Sequence, residues 1–219
     1  MNLPLFTSRR KEEVPDWIRD YRNLTFKYAS NTPLEEVTFC CLDCETTGLE
    51  RSDAVISFGA VKVMNRRIEV GEAMDLRLGV AKGQKHSEIH EELAHDCPDR
   101  MEAQLQSIVD YIGNAVIVGH HVSFDIGKIN QMIGGQFKGF SLKNKSVDTW
   151  HLMRRLDPVR FERNVGGTQT LSLDALCQEF SIDIENRHSA LGDAYMTAQL
   201  FLKLLLRLKR RKVTKIGQL

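Results

Sequence analysis

Two carboxylates after a short apolar stretch are the first residues whose types and spacing indicate chemistry. Asp43 and Glu45 follow the mostly apolar, strand-compatible residues 37–42, and the turn-like residues 46–48 come next. Side chains of a strand repeat every two residues, so both carboxylates are expected on one face. Close like charges repel; a divalent cation removes that cost, and oxygen ligands favour Mg²⁺ or Mn²⁺. Taken alone, the pair fits equally well a strand end with one side chain in solvent.

Three further polar residues lie close to the first or last residues of predicted core elements. Asp125 comes shortly after the apolar run 115–119, at the sheet edge where open α/β folds bind ligands. Asp193 lies near the start of the last predicted helix, and His188 precedes it by five residues. Five residues of a continuous helix rotate by about 500°, so this pair converges only if His188 lies before the helix. Ser189 as the N-cap would allow that, although His188 alone also fits an ordinary loop histidine.

Together these five residues suit a two-metal phosphodiester site. Two cations about 3.5–4 Å apart can activate a water, stabilise a leaving oxygen and neutralise a substrate phosphate. A histidine can accept the proton of that water near neutral pH. The set is Asp43, Glu45, Asp125, His188 and Asp193.

Composition is typical of a globular protein without an overall nucleic-acid charge signature. The 219 residues are 42% hydrophobic and 27% charged, and the net charge is +1. Any nucleic-acid surface must therefore come from local clusters. Residues 126–170 carry eight Lys or Arg against three acids, and residues 203–219 carry seven Lys or Arg and no acid. Residues 126–170 are a candidate for phosphate contact and fit a solvated surface equally well. Residues 203–219 could add nonspecific, salt-sensitive attraction to nucleic acid, or could equally dock a partner.

Cysteine usage and hydropathy predict a cytoplasmic protein outside the membrane. The five cysteines are an odd number and no signal peptide is recognised, which favours a reducing compartment. Cys41 and Cys44 form one C-x-x-C without a second pair to complete a zinc site, so we expect them to be buried and structural. No apolar run approaches the about 20 residues of a membrane helix.

The element pattern predicts an α/β layered domain with a mixed sheet. An N-terminal helix with an aromatic stripe opens near Pro15 and is expected to reach Asn31, and Ser123 is expected to cap a helix that Gly134 and Gly135 stop. The other predicted elements are a strand over 37–42, a hairpin of 54–64 and 67–78, a loop over 79–98, a helix over 99–112, strands over 115–119 and 146–149, and helices over 150–156, 171–180 and from about 189.

Three short segments resemble the exonuclease motifs of the DEDDh 3′–5′ exonucleases, the family of the bacterial DNA polymerase III epsilon (proofreading) subunit and ribonuclease T. They are Leu42 to Gly48, His121 to Asp125 and His188 to Ala194. The match spans about residues 37–206. The histidine five residues before the third-motif aspartate is similar to the DEDDh branch rather than the tyrosine branch. The resemblance implies a ribonuclease H-like fold with a central mixed five-stranded sheet flanked by helices.

The resemblance also implies a role for each metal-site residue. Asp43, Glu45 and Asp193 would hold the cation that carries the attacking water. Asp43 and Asp125 would hold a second Mg²⁺ or Mn²⁺ on the leaving-group side. His188 would be the general base. The implied reaction is hydrolysis from the 3′ ends of nucleic acid, DNA favoured, to nucleoside 5′-monophosphates.

Substrate contacts are implied on two further segments. Thr46, Thr47 and Gly48 would contact the terminal nucleotide. Ile89 and His90 are similar to an Ile/Val-His pair that does the same in the family. Here Glu-Glu-Leu follows that pair, where the family has Gly-Ile/Leu-Thr, so His90 also fits a plain loop histidine. We expect Phe124 to pack in the core rather than to stack on a base.

The expected domain organisation leaves partners and substrate open. We predict an N-terminal helical extension over 1–36, an exonuclease domain over 37–206 and a basic C-terminal tail over 207–219. The expected partner is single-stranded nucleic acid with a free 3′ end. One alternative is an epsilon-like subunit that acts mainly through a partner complex, in proofreading or as a regulatory binding module. The N-terminal helix and the C-terminal tail are the candidate segments for binding a protein partner. Another is an RNA-trimming exoribonuclease, because no feature reports on the 2′-hydroxyl.

Overall fold

The structure is a computed structural model that describes residues 14–78, 98–159, 171–184 and 187–219. The predicted substrate-contact pair Ile89-His90 and the loop around it lie outside the described residues. The described elements, in chain order, are α1 (Asp16–Asn23), β1 (Phe39–Thr46), β2 (Val55–Met64), β3 (Arg67–Arg77), α2 (Pro98–Ile112), β4 (Val116–Gly119), α3 (Val122–Gln136), β5 (Ser146–Asp148), α4 (Thr149–Leu156), α5 (Leu173–Glu179) and α6 (Ala190–Arg210), with short 3₁₀ turns at Leu34–Glu36 and Ile216–Gln218.

The five described strands form one mixed sheet in the order β3-β2-β1-β4-β5, which confirms the predicted architecture. β1 pairs antiparallel with β2 and parallel with β4, and β4 pairs parallel with β5. β4 and the first four residues of β1 are continuously apolar and buried, and strands of that composition are stable when both faces are covered. The carboxyl ends of β1 and β4 therefore lie side by side at one edge of the sheet.

Each face of β1 packs into its own hydrophobic layer. Phe39 and Cys41 join the layer that contains α4, α5 and α6, and the Phe39 and Phe201 rings lie 4.8 Å apart. Cys40, Leu42 and Cys44 join the layer of α1, α2 and α3. Burial raises the pKa of the Cys40 thiol to about 12 and that of Cys44 well above its usual value. These cysteines are free and buried, so their predicted structural role is confirmed.

The N-terminal helix is shorter than its aromatic pattern predicts. α1 ends at Asn23 and Leu24 is already extended, so the prediction of a helix as far as Asn31 is wrong. Trp17 and Tyr21 are buried, whereas Leu24 is 40% exposed. The Tyr21 hydroxyl donates to Asn144 Oδ1 at 2.6 Å, and burial raises its pKa to about 12. The stripe therefore packs on the domain as expected through Trp17, Tyr21 and the partly buried Tyr28, but not through Leu24.

The start and end of α3 also differ from the sequence prediction. His121, not Ser123, precedes the helix, and it has a left-handed backbone (φ 62°). The carboxylate of Asp148 accepts from the backbone amides of His121 and Val122 at 3.2 and 3.1 Å, so it satisfies two backbone donors at the start of the helix. The helix continues through Gly134 and Gly135 to Gln136, because packing of Ile133 in the core outweighs the poor helix propensity of glycine.

The C-terminal residues pack back onto the domain. α6 runs to Arg210, so it crosses the predicted boundary at residue 206 without a break. Lys215 then forms a bridge with Pro33, and Val213 and Ile216 are buried. Among the residues that the structure describes, no helix has the length and apolar character needed to cross a membrane.

Candidate active site

The carboxyl end of β1 carries the first two acids and fixes the position of a third. Asp43 and Glu45 alternate with the buried Cys44, so both carboxylates lie on the face opposite to the Cys44 side chain. The Cys44 amide donates to Asp125 Oδ1 at 3.1 Å, which joins the first turn of α3 to β1. Asp125 is buried, and among neighbouring charges Asp43 has the largest effect on its pKa, which it raises.

A glycine in β2 brings the last helix against this strand end. Gly59 is the partner of Asp43 in the β1–β2 ladder. A Cβ atom at Gly59 would overlap the backbone of Ala190 and Leu191, the first residues of α6. The helix N-terminus can approach the sheet this closely only because residue 59 has no side chain.

The first turn of α6 then places Asp193 beside the two acids of β1. Ser189 caps the helix as predicted, because its side chain accepts from the Gly192 amide at 3.1 Å. Asp43, Glu45 and Asp193 each offer an oxygen atom within 4.8 Å of the others. An oxygen-only set of this kind is the ligand type of Mg²⁺ or Mn²⁺.

The raised pKa values of these acids indicate that their negative charges are only partly offset by neighbouring positive charge. Burial and the neighbouring Asp193 and Glu45 raise the pKa of Asp43 from 3.8 to about 7, although Arg187 opposes the rise. Burial and Asp43 raise the pKa of Asp125 well above its usual value, and burial also raises that of Asp193. Asp193 Oδ1 is buried without a hydrogen-bond partner among the described residues. An unpaired buried carboxylate oxygen is costly, so a divalent cation fits this position.

Arg187 is a residue of the site that the sequence did not single out. Its guanidinium forms ion pairs with Asp174 on α5 and with Asp193 on α6. It also lowers the pKa of Asp43. Arg187 directly precedes His188 and lies six residues before Asp193, and this position in the sequence could have indicated a role in the site. In the metal-free protein Arg187 supplies part of the positive charge that the acids require.

His188 precedes α6, as the spacing argument required. Its backbone is left-handed (φ 64°) and its side chain is exposed. It lines a cavity of about 320 Å³ together with Glu45, Ser57 and Arg77. His188 therefore shares a cavity with Glu45, one member of the acid cluster.

The segment after β1 forms a closed loop over residues 46–54. The Thr46 hydroxyl donates to the Gly48 carbonyl at 2.6 Å. The Thr47 hydroxyl donates to Asp53 Oδ1 at 3.3 Å and accepts from the Ala54 amide at 3.0 Å. A Cβ atom at Gly48 would crowd the Asp53 carboxylate. The three predicted nucleotide contacts thus lie in an ordered loop directly beside Glu45.

Phe124 is not a core residue, contrary to expectation. It is partly exposed and lines a cavity of about 590 Å³ beside the 46–54 loop, together with Leu49 and Lys128. The Lys128 ammonium lies 5.4 Å from the centre of its ring. Phe124 is rotated by about 100° around α3 from the buried Asp125, and its ring lies at this cavity rather than in the core.

Comparison with protein families identifies the domain. The model of an exonuclease family, RNase_T, matches residues 40–201, well over half of the chain. The chain belongs to this exonuclease family. The predictions of a DEDDh-type 3′–5′ exonuclease domain and of a ribonuclease H-like fold are thereby confirmed. The matched region contains all five residues that the motifs singled out.

Relatives and solved structures agree with this assignment. The DNA polymerase III PolC-type of Bacillus subtilis (strain 168) is 31% identical over 186 residues, 81% of this chain and 12% of the relative. A DNA polymerase III subunit epsilon-like protein of Rhodobacter capsulatus is 32% identical over 202 residues, 86% of this chain and 26% of the relative. The chain therefore spans only a small part of these relatives.

Exonuclease I is similar to this chain in fold. One structure of it matches with a TM-score of 0.65 and 19% identity, over 80% of this chain and 42% of that chain. The E. coli exonuclease I complex with a dT13 oligonucleotide also has a TM-score of 0.65 and 19% identity, over 81% of this chain and 43% of that chain. At this identity the likeness concerns the fold.

Proposed function

We propose that the protein is a metal-dependent 3′–5′ exonuclease that hydrolyses phosphodiester bonds from the 3′ ends of nucleic acid, DNA favoured, to nucleoside 5′-monophosphates. The observation that carries the proposal is the convergence of Asp43, Glu45 and Asp193 oxygens within 4.8 Å in an exonuclease-family domain. DNA is favoured because both relatives are named for DNA polymerase III, and exonuclease I structures are described with dT13 and dA16 oligonucleotides.

The carboxylates would serve as the cation ligands of the reaction. Asp43, Glu45 and Asp193 would hold one Mg²⁺ or Mn²⁺, and Asp43 and Asp125 would hold a second. Two such ions, when bound, neutralise the substrate phosphate and promote ionisation of a water. The unpartnered Asp193 Oδ1 supports this assignment, since an oxygen that is buried without a donor is suited to a cation. A neighbouring structure is described as the zinc-bound form of an E. coli exonuclease I complex with single-stranded DNA.

His188 would accept the proton of the attacking water. Its exposure at the cavity that Glu45 also lines leaves the ring free to turn between solvent and the reacting phosphate. A histidine suits this role near neutral pH because its usual pKa is about 6.5. Thr46, Thr47 and Gly48 would contact the terminal nucleotide from the ordered 46–54 loop.

The exposed lysines of residues 138–145 form a basic surface away from the carboxylates. Lys138, Lys143 and Lys145 are exposed beyond the end of α3, and the Lys145 carbonyl accepts from the Ile117 amide at the amino end of β4, whereas the carboxylates lie at the carboxyl end. Lys128, which the charge count of residues 126–170 included, is buried and adds nothing to that surface. Near the C-terminus, Arg211 donates to the Leu156 carbonyl and Lys203 to the Phe180 carbonyl, so part of that positive charge serves packing.

Degradation of defined substrates tests the proposal. Single-stranded DNA, duplex DNA with a mismatched 3′ end, and RNA, each 5′-labelled, are incubated with Mg²⁺ or Mn²⁺. We expect ladders that shorten from the 3′ end, release of nucleoside 5′-monophosphates, and no reaction in EDTA. Asp193→Asn should abolish the reaction, whereas Asp110→Asn, an exposed acid of α2, should not. Full activity of Asp193→Asn would contradict the proposal.

The pH profile tests the base separately. His188→Gln should lower the rate and remove the acidic limb of the pH–rate profile, because the neutral imidazole is the form that accepts a proton. An unchanged profile would exclude His188 as the base and leave the metal-dependent reaction standing.

A second candidate function is exonuclease activity within a polymerase assembly. The relatives are a polymerase and an epsilon-like protein of which this chain matches 12% and 26%. If the domain proofreads, the mismatched duplex should be degraded faster than the matched one only when a polymerase partner is added. Equal rates with and without a polymerase would remove this candidate.

A further inference from the structure

Lys128 is a buried lysine whose role the proposed reaction does not explain. It lies on α3, three residues after Asp125, and only 4% of its surface is exposed. Burial of an ammonium and loss of four side-chain torsions are both unfavourable. An aliphatic residue would fill this position at a lower cost, so the charged end must form interactions that offset that cost.

The Lys128 ammonium, on α3, binds backbone carbonyls of the 46–54 loop. It donates to the carbonyl oxygens of Glu50 at 2.6 Å and of Asp53 at 2.7 Å. Hydrogen bonds from a charged donor are shorter and stronger than neutral ones. Two such bonds to one loop join the helix that carries Asp125 to the segment that carries the predicted nucleotide contacts.

The loop closes on itself around the same point. Asp53 Oδ2 accepts from the Glu50 amide at 2.7 Å, and Asp53 Oδ1 accepts from the Thr47 hydroxyl. Both carbonyls that Lys128 binds therefore belong to residues of this inner network. A shift of the loop relative to α3 would break the two ammonium bonds without breaking the inner ones. Lys128 thus determines where the loop lies, rather than whether it closes.

The loop and α3 also border a common cavity. Leu49, Phe124 and Lys128 line it, and Lys128 lies 5.4 Å from the centre of the Phe124 ring. Leu49 at the tip of the loop is 86% exposed. Without a clamp, an exposed tip of this kind would move freely relative to the helix.

We propose that Lys128 is a positioning residue that holds the 46–54 loop against α3, so that Thr46, Thr47 and Gly48 meet the terminal nucleotide at a fixed distance from the carboxylates. The inference rests on the proposed function for its substrate. Loss of the clamp should weaken nucleotide binding, because the loop must then be ordered when the substrate binds. The carboxylates keep their places, since Cys44 still donates to Asp125.

Steady-state kinetics on a 5′-labelled single-stranded oligonucleotide test this inference. Lys128→Met removes both donors and keeps the length of the side chain. The expected result is a KM raised about tenfold with kcat within threefold of the wild type, an effect of a size that loop-ordering costs produce. Lys138→Met is the matched control, since it removes one exposed lysine just after the same helix. Its KM should stay within twofold of the wild type.

A second variant tests the same inference if Lys128→Met fails to fold. Lys128→Gln is neutral and can still donate to one of the two carbonyl oxygens, so a smaller rise in KM is expected. If Lys128→Met does not fold, Lys128→Gln decides the question. An unchanged KM in the folded variant, a fall of kcat alone, or an equal rise of KM in Lys138→Met would each overturn the proposal.

Hydrogen exchange of the substrate-free protein separates this inference from the proposed function. In the Lys128 variants, amides of residues 46–54 should exchange at least tenfold faster, while those of β2 stay as in the wild type. This readout needs no activity. Inactive wild-type protein would therefore refute the proposed function and leave the loop result valid. Unchanged exchange in the loop would overturn the role of Lys128 even if the enzyme is active.

Discussion

Replacement of Asp43 by asparagine should stabilise the metal-free protein at neutral and alkaline pH while it abolishes exonuclease activity. Burial, Asp193 and Glu45 together raise the pKa of Asp43 from 3.8 to about 7. An acid with a higher pKa in the folded than in the unfolded state destabilises the fold once it ionises. Asparagine has a similar shape and no charge, so it removes this penalty.

The sign and the size follow from the pKa. Stability of the metal-free wild type should fall as pH rises from about 4 to about 7, since the unfolded protein loses this proton first. A pKa of about 7 against 3.8 corresponds to an upper limit of about 4 kcal/mol, because each pH unit is worth 1.36 kcal/mol. Relaxation around a partly exposed carboxyl reduces this, and we expect Asp43→Asn to be more stable by about 2–4 kcal/mol at pH 8.

Urea unfolding in EDTA at pH 4 and pH 8 measures the effect. The two proteins should have similar free energies of unfolding at pH 4 and differ at pH 8. Asp110→Asn, with an exposed carboxyl on α2, is the control and should show no such dependence. Addition of Mg²⁺ at pH 8 should stabilise the wild type more than Asp43→Asn. A less stable Asp43→Asn at pH 8, or a difference that does not vary with pH, would refute the electrostatic account of the cluster.

Two further predictions concern the groups that surround the acids. Arg187→Gln should destabilise the metal-free protein by about 1–3 kcal/mol, because Asp193 loses a charged donor. The same variant should bind Mn²⁺ more tightly, because a competing cation is removed. Weaker Mn²⁺ binding in calorimetry would contradict this. Gly59→Ala should lower the free energy of unfolding in urea by about 1–3 kcal/mol and weaken Mn²⁺ binding, because the added methyl displaces the start of α6. Gly71→Ala is the control, since its added methyl meets open space, and it should change neither quantity. Equal effects of the two alanine variants would exclude the close-approach argument.

The acids of β1 and the start of α6 were predictable because local rules determine them. Alternation along a strand puts Asp43 and Glu45 on one face, and a capping serine fixes the helix start that leaves His188 outside it. The hairpin of β2 and β3 and the apolar β4 were recognisable in the same way. Each of these predictions depends on residues that are close together in the chain.

The features that escaped prediction depend on contacts between distant segments. Gly59 is an ordinary strand glycine in the sequence, and only the packing of α6 shows why it lacks a side chain. The Asp148 carboxylate accepts from the Val122 amide, 26 residues earlier in the chain, and α3 begins there, before the expected Ser123 cap. Arg187 acquires its role from Asp174 on another helix. The Ile89-His90 contact lies outside the described residues and stays a prediction.

The arrangement also explains why an acid cluster of this kind can persist in a folded protein without its cations. The pKa of Asp43 is raised to about 7, so part of its charge is absent near neutral pH, and the pKa values of Asp125 and Asp193 are raised as well. Arg187 offsets a further part through Asp193. The remaining repulsion acts on elements that two hydrophobic layers hold in place, and Gly59 lets the backbone of α6 pack directly on the sheet. Binding of a divalent cation would therefore relieve repulsion that is already present in the folded protein. When charge is removed from the acids, the metal-free protein should become more stable and its metal affinity should fall.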